Sequence, residues 1–352
     1  MAEPDALQSL WWSRTPTVGG LLARILLVPF GVIFGGLVAI RSLIYRRGWR
    51  RGFRAPVPVL SVGNITVGGT GKTPTVKWLA NWLIAEGFHP IVLQRGYGTR
   101  AHDSDVDEEG ALLRASVPGI TVIQSTEVRS GRGDWSFAAK AGAVVILDDG
   151  FQRLQMERDL DIVLVDATRP FGNGWPLPAG PLREWLGSIA RADVVVVTRS
   201  DADPRVASGL CDDIQRKNPG QIVQLQRHVP TRLLPGDRPV SELNGRSVWL
   251  LSAIGHPSEF HRTVVECGAK VIGVTILPDH APIPSALISG IASRAGKRDV
   301  TLIVVTSKDL PKISSEAYGI PIVALDVDVE FVGDNQALVG ILRTRLARTA
   351  GR

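Results

Sequence analysis

The chain has 352 residues, enough for two domains of ordinary size, and its 44% hydrophobic and 21% charged content excludes a disordered protein. It contains only two cysteines and no Cys-x-x-Cys pair, which excludes a disulfide framework and a cysteine-based zinc site and fits a reducing compartment. The net charge of +6 favours an anionic partner such as nucleic acid, phospholipid or a phosphorylated ligand.

The first segment with a clear pattern is an uncharged apolar run over residues 25–40, bounded by Arg24 and Arg41. A bilayer span needs about 20 apolar residues, so this run is short for one. No small-x-small cleavage site follows it, which argues against a signal peptide. We expect a helix that lies in or dips into the cytoplasmic leaflet. The alternatives are a buried core helix with a basic end and a full membrane span.

The next segment is rich in arginine and aromatic residues. Its arginines are Arg46, Arg47, Arg50, Arg51 and Arg54, and Tyr45, Trp49 and Phe53 lie between them. Each cation close to an anionic membrane surface contributes about 1 kcal/mol of attraction. This arginine collar therefore predicts contact with anionic phospholipid, and residues 1–47 are expected to form a membrane-associated helix with its basic end.

From residue 56 onward, short apolar runs alternate with helix-length segments, which is the pattern of parallel strands in an α/β fold. The expected strands lie at 57–63, 89–96, 143–149, 160–167 and 192–201, with an amphipathic helix at 73–87. Residues 221–246 are rich in proline, glycine and polar turns and are predicted to form an extended linker or a hairpin. A second strand–helix series follows, so the expected domains are 48–220 and a smaller 247–352.

The segment between the first strand and the first helix of this series reads Asn-Ile-Thr-Val-Gly-Gly-Thr-Gly-Lys-Thr over residues 64–73. A strand, a glycine-rich loop ending in Gly-Lys-Thr and a helix form the context that a phosphate-binding loop requires. Backbone N–H groups of the loop and the helix N-terminus would hold phosphate, Lys72 would reach the β- and γ-phosphates, and Thr73 would ligate Mg²⁺. The predicted nucleotide-binding residues are Thr66, Val67, Gly68, Gly69, Thr70, Gly71, Lys72 and Thr73. Because Thr66 replaces the usual first glycine, the loop is a variant.

Several longer motifs resemble those of the tetraacyldisaccharide 4′-kinases, the lipid A 4′-kinases of Gram-negative bacteria. They are GNITVGGTGKTP (63–74), QRGYGTR (94–100), LDDGFQR (147–153), FGNGWPLPAGPLREW (171–185), SAIGHPSEF (252–260) and PDH (278–280). They extend over most of the chain in the order that the family has them. The proline-rich segment is the most specific, because nucleotide binding in general does not need it.

Asp148 and Asp149 follow an apolar strand, where a phosphate-loop protein carries the carboxylate that holds Mg²⁺ directly or through water. We therefore predict Thr73, Asp148 and Asp149 as the metal site. Asp166 ends another buried strand and is the second candidate. A solvated turn at residues 148 and 149 is the structural alternative.

A sugar kinase needs a group that accepts or orients the proton of the acceptor hydroxyl, preferably a carboxylate near the γ-phosphate. The resemblance assigns this role to an Asp within a Gly-Asp-Glu-Pro stretch, and the corresponding residues here are DVDEEGALL (105–113), without that glycine and proline. Matching the Asp-Glu pair selects Asp107 and Glu108, whereas counting back from the following leucines selects Glu108 and Glu109. We favour Asp107, and a solvated acidic surface is the alternative.

Other site residues come from the resemblance alone. It implies that His280 lies at the cleft between the domains and acts in catalysis. It also implies that substrate or phosphate contacts come from Arg95, Tyr97, Gln152, Arg183 and Glu184. The family often carries histidine after the glutamine of its Asp-Asp-x-x-Gln segment, whereas Arg153 follows Gln152 here.

Together these observations predict an α/β protein with a larger phosphate-loop domain, a smaller Rossmann-like domain and a membrane-associated N-terminal helix. The resemblance implies an ATP- and Mg²⁺-dependent kinase acting on the 4′-hydroxyl of a tetraacylated glucosamine disaccharide 1-phosphate, at the cytoplasmic face of the inner membrane. We expect the lipid substrate and the anionic membrane surface as partners, but neither nucleic acid nor an obligate protein partner. The alternatives are a membrane-tethered switch NTPase and a family member that binds the lipid without phosphorylating it.

Overall fold

The computed structural model describes residues 10–13, 16–95, 108–129, 131, 133–279, 281–314 and 318–350. Its chain divides into two compact units. Of the described residues, the larger unit contains those up to residue 95, 113–227 and 329–350, and the smaller unit contains 108–112 and 228–328.

The larger unit contains a parallel sheet, as the apolar runs predict. Its strands are β1 (Val59–Asn64), β2 (His89–Gln94), β3 (Thr121–Gln124), β4 (Ala143–Asp148), β5 (Leu160–Asp166), β6 (Val194–Thr198) and the first part of β7 (Ile222–Leu234). They lie in the order β3-β2-β4-β1-β5-β6-β7. In this register Val62 of β1 is opposite Asp148 of β4. The carboxyl end of β4 therefore lies beside the loop that follows β1.

Helices cover both faces of this sheet, which is why β1, β5 and β6 are buried along their whole length. The helices of the larger unit are α1 (Val18–Arg46), α2 (Lys72–Ala85), α3 (Glu108–Ser116, which begins in the smaller unit), α4 (Thr126–Arg129), α5 (Pro204–Lys217) and, near the chain end, α8 (Gln336–Ala350). On one face, Leu79 of α2 and Leu342 of α8 are fully buried in a core with Leu60 and Val62. On the other, Val163 and Val195 pack with Phe151 and Leu182.

The smaller unit has its own parallel sheet and core. Its strands are β8 (Ser247–Ser252), β9 (Lys270–Ile276), β10 (Leu302–Thr306) and the first part of β11 (Ile322–Val332), in the order β11-β10-β8-β9. Two helices, α6 (Pro257–Glu266) and α7 (Ser285–Gly296), pack against them. This strand–helix alternation agrees with the predicted second series.

The boundaries between the units differ from those expected from the sequence. Residues 222–234, expected within a linker, form β7, and the division falls inside β7 and β11. The last segment, expected with the smaller domain, belongs to the larger unit, because Leu338, Leu342 and Leu346 of α8 are buried in the larger unit's core. The composition of the sequence does not reveal that this last segment packs into the core of the larger unit.

Helix α1 is longer than the apolar run at 25–40. The side chain of Thr17 caps its first turn, and Arg24 donates hydrogen bonds to the carbonyls of Leu10 (2.6 Å) and Ser13 (2.7 Å), so this charge is satisfied beside the helix. Within the described residues, α1 alone is long and apolar enough to cross a membrane; 11% of its most apolar window, whose mean hydropathy is 2.3, is buried.

One narrow side of α1 packs against the proline-rich segment. Gly31 and Gly35 are the buried residues of the helix. A Cβ atom at position 35 would lie 2.5 Å from Nε1 of Trp185, so only glycine permits this approach. The opposite side is apolar and exposed, with Leu26, Phe30, Ile33 and Leu37 among its residues.

Candidate functional site

The phosphate loop connects β1 to α2 as predicted. Gly71 caps α2 with φ of 86°, a left-handed conformation that glycine adopts without strain, and Lys72 and Thr73 begin the helix. The hydroxyl of Thr75 donates to the carbonyl of Gly71 at 3.0 Å and closes the first turn. Gly68 and Gly69 are exposed. The backbone N–H groups of the loop and helix can therefore meet an anion from solvent.

The entrance of the loop is held by the proline-rich segment. The backbone N–H of Val67 donates to the carbonyl of Pro181 (2.8 Å), and that of Arg183 donates to the carbonyl of Ile65 (2.7 Å). Thr66 forms an isolated antiparallel bridge with Leu182 and is buried. Position 66 is thus extended and paired, a conformation that does not require glycine, which explains why this variant loop has threonine there.

The other side of the loop is braced by the end of β6. Thr198 donates from its hydroxyl to the carbonyl of Thr70 (2.9 Å), and Arg199 donates to the carbonyl of Gly69 (2.9 Å). Arg199 also forms a buried ion pair with Asp166. Asp166, the second candidate for a metal ligand, is therefore committed to positioning Arg199. The sequence did not indicate this role of Arg199.

Lys72 and Arg183 converge on Asp149. The Nζ atom of Lys72 lies 3.4 Å from Oδ1 of Asp149 and 3.4 Å from Oδ1 of Asn64. The Nη1 atom of Arg183 lies 2.8 Å from both carboxylate oxygens of Asp149. Burial opposes ionisation of Asp149, but Lys72 and Arg183 outweigh it and hold the pKa of the carboxyl below its usual range. The structure thus brings three predicted residues together beside the loop.

Asp148 is held from the opposite side. The amide of Gln94 donates to Oδ2 of Asp148 (3.1 Å), and Gln124 donates in turn to Gln94 (3.1 Å). Asp149 follows with φ of 52°, a left-handed conformation uncommon for a residue other than glycine. Strain of this kind occurs where the surrounding structure fixes a functional side chain. The backbone turn therefore presents the two neighbouring carboxylates in different directions.

Arg129 was not predicted and stands directly behind the two aspartates. Its side chain is only 2% exposed, and its guanidinium donates to the carbonyls of Asp148 (2.8 Å) and Asp149 (3.1 Å). Burial, together with the charges of Arg153 and Arg95, lowers the pKa of Arg129 to about 10, although the two aspartates oppose this shift. Arg129 is still protonated at neutral pH. No sequence signal distinguished it from an ordinary surface arginine of a short helix.

Gln152 and Glu184 belong to one network. Gln152 donates from its amide to the carbonyl of Asn64 (2.9 Å) and to Oε1 of Glu184 (3.0 Å), and Arg191 donates to Glu184 at 2.6 Å. Glu184 is 3% exposed, so it lies behind Gln152 instead of facing solvent as a substrate contact. Arg191, which the sequence did not indicate, completes this support for the end of β1.

Arg153, where the family often has histidine, lies in cationic surroundings. Burial, followed by the charges of Arg95 and Arg41, lowers the pKa of Arg153, and Asp149 opposes the shift. Arg95 itself is exposed. Three arginines therefore contribute positive charge to the same region: Arg95 at the end of β2, Arg153 after the Asp-Asp pair, and Arg41 of α1. This charge favours anionic ligands there.

Three predicted site residues, Tyr97, Asp107 and His280, lie outside the described residues. Glu108 begins α3, and its side chain is also outside the described part of the chain. Glu109 is the other candidate obtained by counting back from the leucines at 112 and 113, that is, from an alignment without a gap. It forms an ion pair with Lys308 at 2.5 Å within the smaller unit. A carboxylate that is paired with a lysine is a weak candidate for accepting a proton.

The donor set beside the loop fits Mg²⁺. Among the described residues, no group of three or more His, Cys, Asp or Glu side chains could hold a metal ion. Magnesium in nucleotide sites needs no such cage, because one or two carboxylates, a hydroxyl and the phosphates suffice. Thr73 at the helix start and Asp148 and Asp149 at the neighbouring strand end are hard oxygen donors of this kind.

The chain as a whole is similar to known proteins of one family. The family described as Tetraacyldisaccharide-1-P 4'-kinase matches residues 23–347. A tetraacyldisaccharide 4'-kinase of Pelobacter propionicus is 35% identical over 309 residues, 82% of each chain. One of Nitrobacter hamburgensis is 35% identical over 358 residues, covering 97% of this chain and 98% of its own.

The fold is similar to a solved structure in the same class. A crystal structure of LpxK from Aquifex aeolicus in complex with ATP aligns with a TM-score of 0.71 and 26% identity. The alignment covers 92% of this chain and 99% of that one. The chain belongs to the tetraacyldisaccharide-1-P 4'-kinase family.

Proposed function

We propose that the protein transfers the γ-phosphate of ATP to the 4′-hydroxyl of a tetraacylated glucosamine disaccharide 1-phosphate, a step of lipid A biosynthesis. The observation that carries the proposal is the convergence of Lys72, Arg183 and Asp149 on a braced phosphate loop in a chain of this family. Phosphoryl transfer depends mainly on positioning and on electrostatic stabilisation of the transferred group, and this arrangement supplies both.

In this reaction the loop binds the nucleotide and the two cations stabilise the transferred phosphoryl group. Backbone N–H groups of Gly68 to Lys72 donate hydrogen bonds to oxygens of the β- and γ-phosphates. Lys72 and Arg183 exchange their ion pairs with Asp149 for the phosphate oxygens, and Arg183 adds the planar donor geometry that suits phosphate. Arg129, fixed behind the aspartates, contributes a positive charge that does not move during the step.

A magnesium ion would be held by the hydroxyl of Thr73 and the carboxylates of Asp148 and Asp149, directly or through water. When bound, it supplies charge neutralisation of the phosphate oxygens. Gln94 orients Asp148 through the bond to Oδ2, and Arg183 orients Asp149. These contacts fix the carboxylates before the nucleotide arrives.

The acceptor side rests on the family resemblance. Asp107 orients the 4′-hydroxyl and accepts its proton, with Glu108 as the second candidate and His280 assisting. Arg95, Tyr97 and Gln152 contact the acceptor or the phosphates, whereas Glu184 acts by positioning Gln152. The positive charge around Arg95 and Arg153 suits an acceptor that already bears a phosphate.

The membrane helix explains how such a substrate is reached. The four acyl chains of the lipid substrate remain in the bilayer, so the enzyme works at the membrane surface and contacts the head group. We infer that α1 and the arginine collar attach the protein to the cytoplasmic face of the inner membrane of a Gram-negative bacterium. The exposed apolar side of α1, with Leu26 at 72% and Ile33 at 60% exposure, supports this attachment.

The direct test is incubation of the purified protein with ATP, Mg²⁺ and the tetraacyl disaccharide 1-phosphate, followed by mass spectrometry of the lipid. We expect a product heavier by one phosphate group, located on the 4′-oxygen. ATP turnover without lipid distinguishes the kinase from a switch NTPase, because a kinase is nearly idle without its acceptor. Steady ATP hydrolysis that the lipid does not change, with no phosphorylated product, would contradict the proposal.

A further inference from the structure

A cleft of about 580 Å³ lies at the end of α1, separate from the phosphate loop. Its lining is strongly basic, with Arg46, Arg50, Arg51, Arg54, Arg158 and Arg191 against a single acid, Glu157. We call it the arginine cleft. It lies entirely within the larger unit.

The six arginines fall into two groups. Arg158 is paired with Asp161 (2.9 Å), Arg191 with Glu184 (2.6 Å) and Arg54 with Asp159 (2.5 Å). Among the described residues, no carboxylate forms an ion pair with any of the other three, which are Arg46, Arg50 and Arg51. Three uncompensated guanidinium groups around one cleft repel each other, and an anion bound between them removes that repulsion.

The helix dipole stabilises only one of these three arginines. Arg46 lies in the last turn of α1, where a cation is favoured by the partial negative charge of the helix end. Arg50 and Arg51 follow the helix and gain little from it. The Arg50 guanidinium instead lies 5.8 Å from the centroid of the Tyr45 ring, which orients it beside the cleft.

We propose that the arginine cleft binds the phosphodiester head group of one acidic phospholipid. The inference rests on the proposed membrane attachment of α1, whose apolar side would place the cleft at the level of the head groups. Trp49, at 70% exposure, lies in the chain between Gly48 and Arg50, which line the cleft, and an exposed aromatic ring of this kind favours the membrane interface. One guanidinium group can donate two parallel hydrogen bonds to the oxygens of a phosphate. Several such groups around one cleft give a defined site for one lipid head group and not only diffuse attraction.

One residue of the cleft, Arg191, is also connected to the end of β1 through Glu184 and Gln152, which decides the choice of variant. Arg191 lines the cleft and also holds Glu184, which positions Gln152 at the end of β1. Substituting Arg191 would disturb both places. Arg51 has no such connection and tests the cleft alone.

The test uses the full-length protein in nonionic detergent and native mass spectrometry during titration with phosphatidylglycerol or phosphatidylcholine. We expect one retained phosphatidylglycerol and no retained phosphatidylcholine. Arg51→Gln should weaken retention by about tenfold, the effect of losing one charge-assisted phosphate contact. The matched control is Arg47→Gln, which removes the same charge from a neighbouring arginine that does not line the cleft; it should change retention by less than about twofold. Equal losses in the two variants, or unsaturable binding of many lipids, would mean diffuse attraction and would overturn the proposal.

Two further arms identify the source of the phosphate. Glycerol 3-phosphate in excess should not displace the lipid, because it lacks the acyl chains that anchor the head group. If the disaccharide 1-phosphate displaces phosphatidylglycerol competitively and Arg51→Gln raises its KM, the cleft holds the acceptor's own phosphate and the phospholipid assignment is wrong. The ATP affinity of each variant is also measured. An unchanged ATP affinity shows that the nucleotide site is folded, so a failure of this inference can be told apart from a failure of the kinase proposal.

Discussion

Asp149 has the most informative contacts of any single residue in the site. It joins Lys72 of the phosphate loop to Arg183 of the proline-rich segment. In the proposed reaction, a bound γ-phosphate would compete with this carboxylate for the same two cations, so the ion pairs would hold the cations near the position of the phosphate. Fixing charged groups before substrate binds removes reorganisation from the barrier.

Lys72→Ala should reduce kinase turnover by about 10³-fold, because the charge that follows the phosphoryl group into the transition state is lost. The fold should be retained, since Lys72 forms only long contacts of 3.4 Å. Turnover with saturating ATP and lipid measures the first effect, and circular dichroism measures the second. Lys297→Ala, at an exposed position, is the control. Near-normal turnover of Lys72→Ala would mean that the phosphate-loop assignment is wrong.

Arg183→Gln should move the acidic limb of the pH–rate profile to higher pH. Arg183 helps to hold the pKa of Asp149 below its usual range, so its removal raises that pKa and protonates the carboxyl sooner as pH falls. The stability that ionised Asp149 contributes is present above the unfolded-state pKa and is lost as pH falls through the lowered folded-state pKa. The profile of kcat/KM against pH is the measurement. Arg343→Gln, which breaks an exposed pair with Glu86, should leave the limb in place.

Asp107→Asn should lower kcat by about 10²-fold with little change in ATP affinity, the scale of losing a positioned acid–base group. Glu108→Gln should cost less, about tenfold, through altered electrostatics of the same segment. The ungapped alignment predicts the reverse order, so comparing kcat of the two variants decides between the alignments. If neither variant affects kcat, the acidic stretch is a solvated surface, and Asp149 and then His280 become the next candidates for the proton acceptor.

At the scale of secondary-structure elements, the contact between α1 and the proline-rich segment depends on glycine. Gly35→Leu should destabilise the protein by about 1–3 kcal/mol, the usual cost of overpacking, because its side chain would meet Trp185 and Pro176. Gly36→Leu is a matched control, since a Cβ there has no neighbour within 4 Å. Thermal unfolding in detergent measures both variants. Equal melting temperatures would show that α1 does not pack tightly against this segment.

Most elements of the larger unit could be predicted, and the reason is their local character. The strand over 57–63 appears as β1, the helix over 73–87 appears as α2, and the loop between them has the expected form. Such elements follow from apolar runs and from glycine at a left-handed position. Helix α8 was missed because its buried leucines find their partners in a core formed almost entirely by residues far earlier in the chain.

The candidate site was predictable only where a motif carried it. Lys72, Asp149 and Arg183 each stand in a recognisable segment, and the structure places their side chains in contact. Arg129 and Arg191 stand in no motif, and their roles depend on burial against backbone carbonyls and on Glu184. Sequence patterns do not report burial of an arginine, because the same residue is usually exposed at a protein surface.

For the whole molecule, deletion of residues 1–47 should release the protein from lipid vesicles. High salt should weaken binding of the intact protein only partly, because it screens the arginines but does not affect insertion of apolar side chains. Co-sedimentation with vesicles at low and high salt measures both effects. Complete release of the intact protein by salt alone would show that the arginines account for all binding and that α1 does not insert.

The proline-rich segment contacts α1 through Trp185 and the phosphate loop through Pro181 and Arg183. With the proposed membrane attachment of α1, this one short stretch of chain would set the height above the bilayer plane at which phosphate is transferred. An acceptor would then be selected by how far its hydroxyl protrudes from the lipid surface as well as by its chemistry. A water-soluble sugar with the same hydroxyl groups has no fixed height, so it would meet the transferred phosphate only by chance encounters.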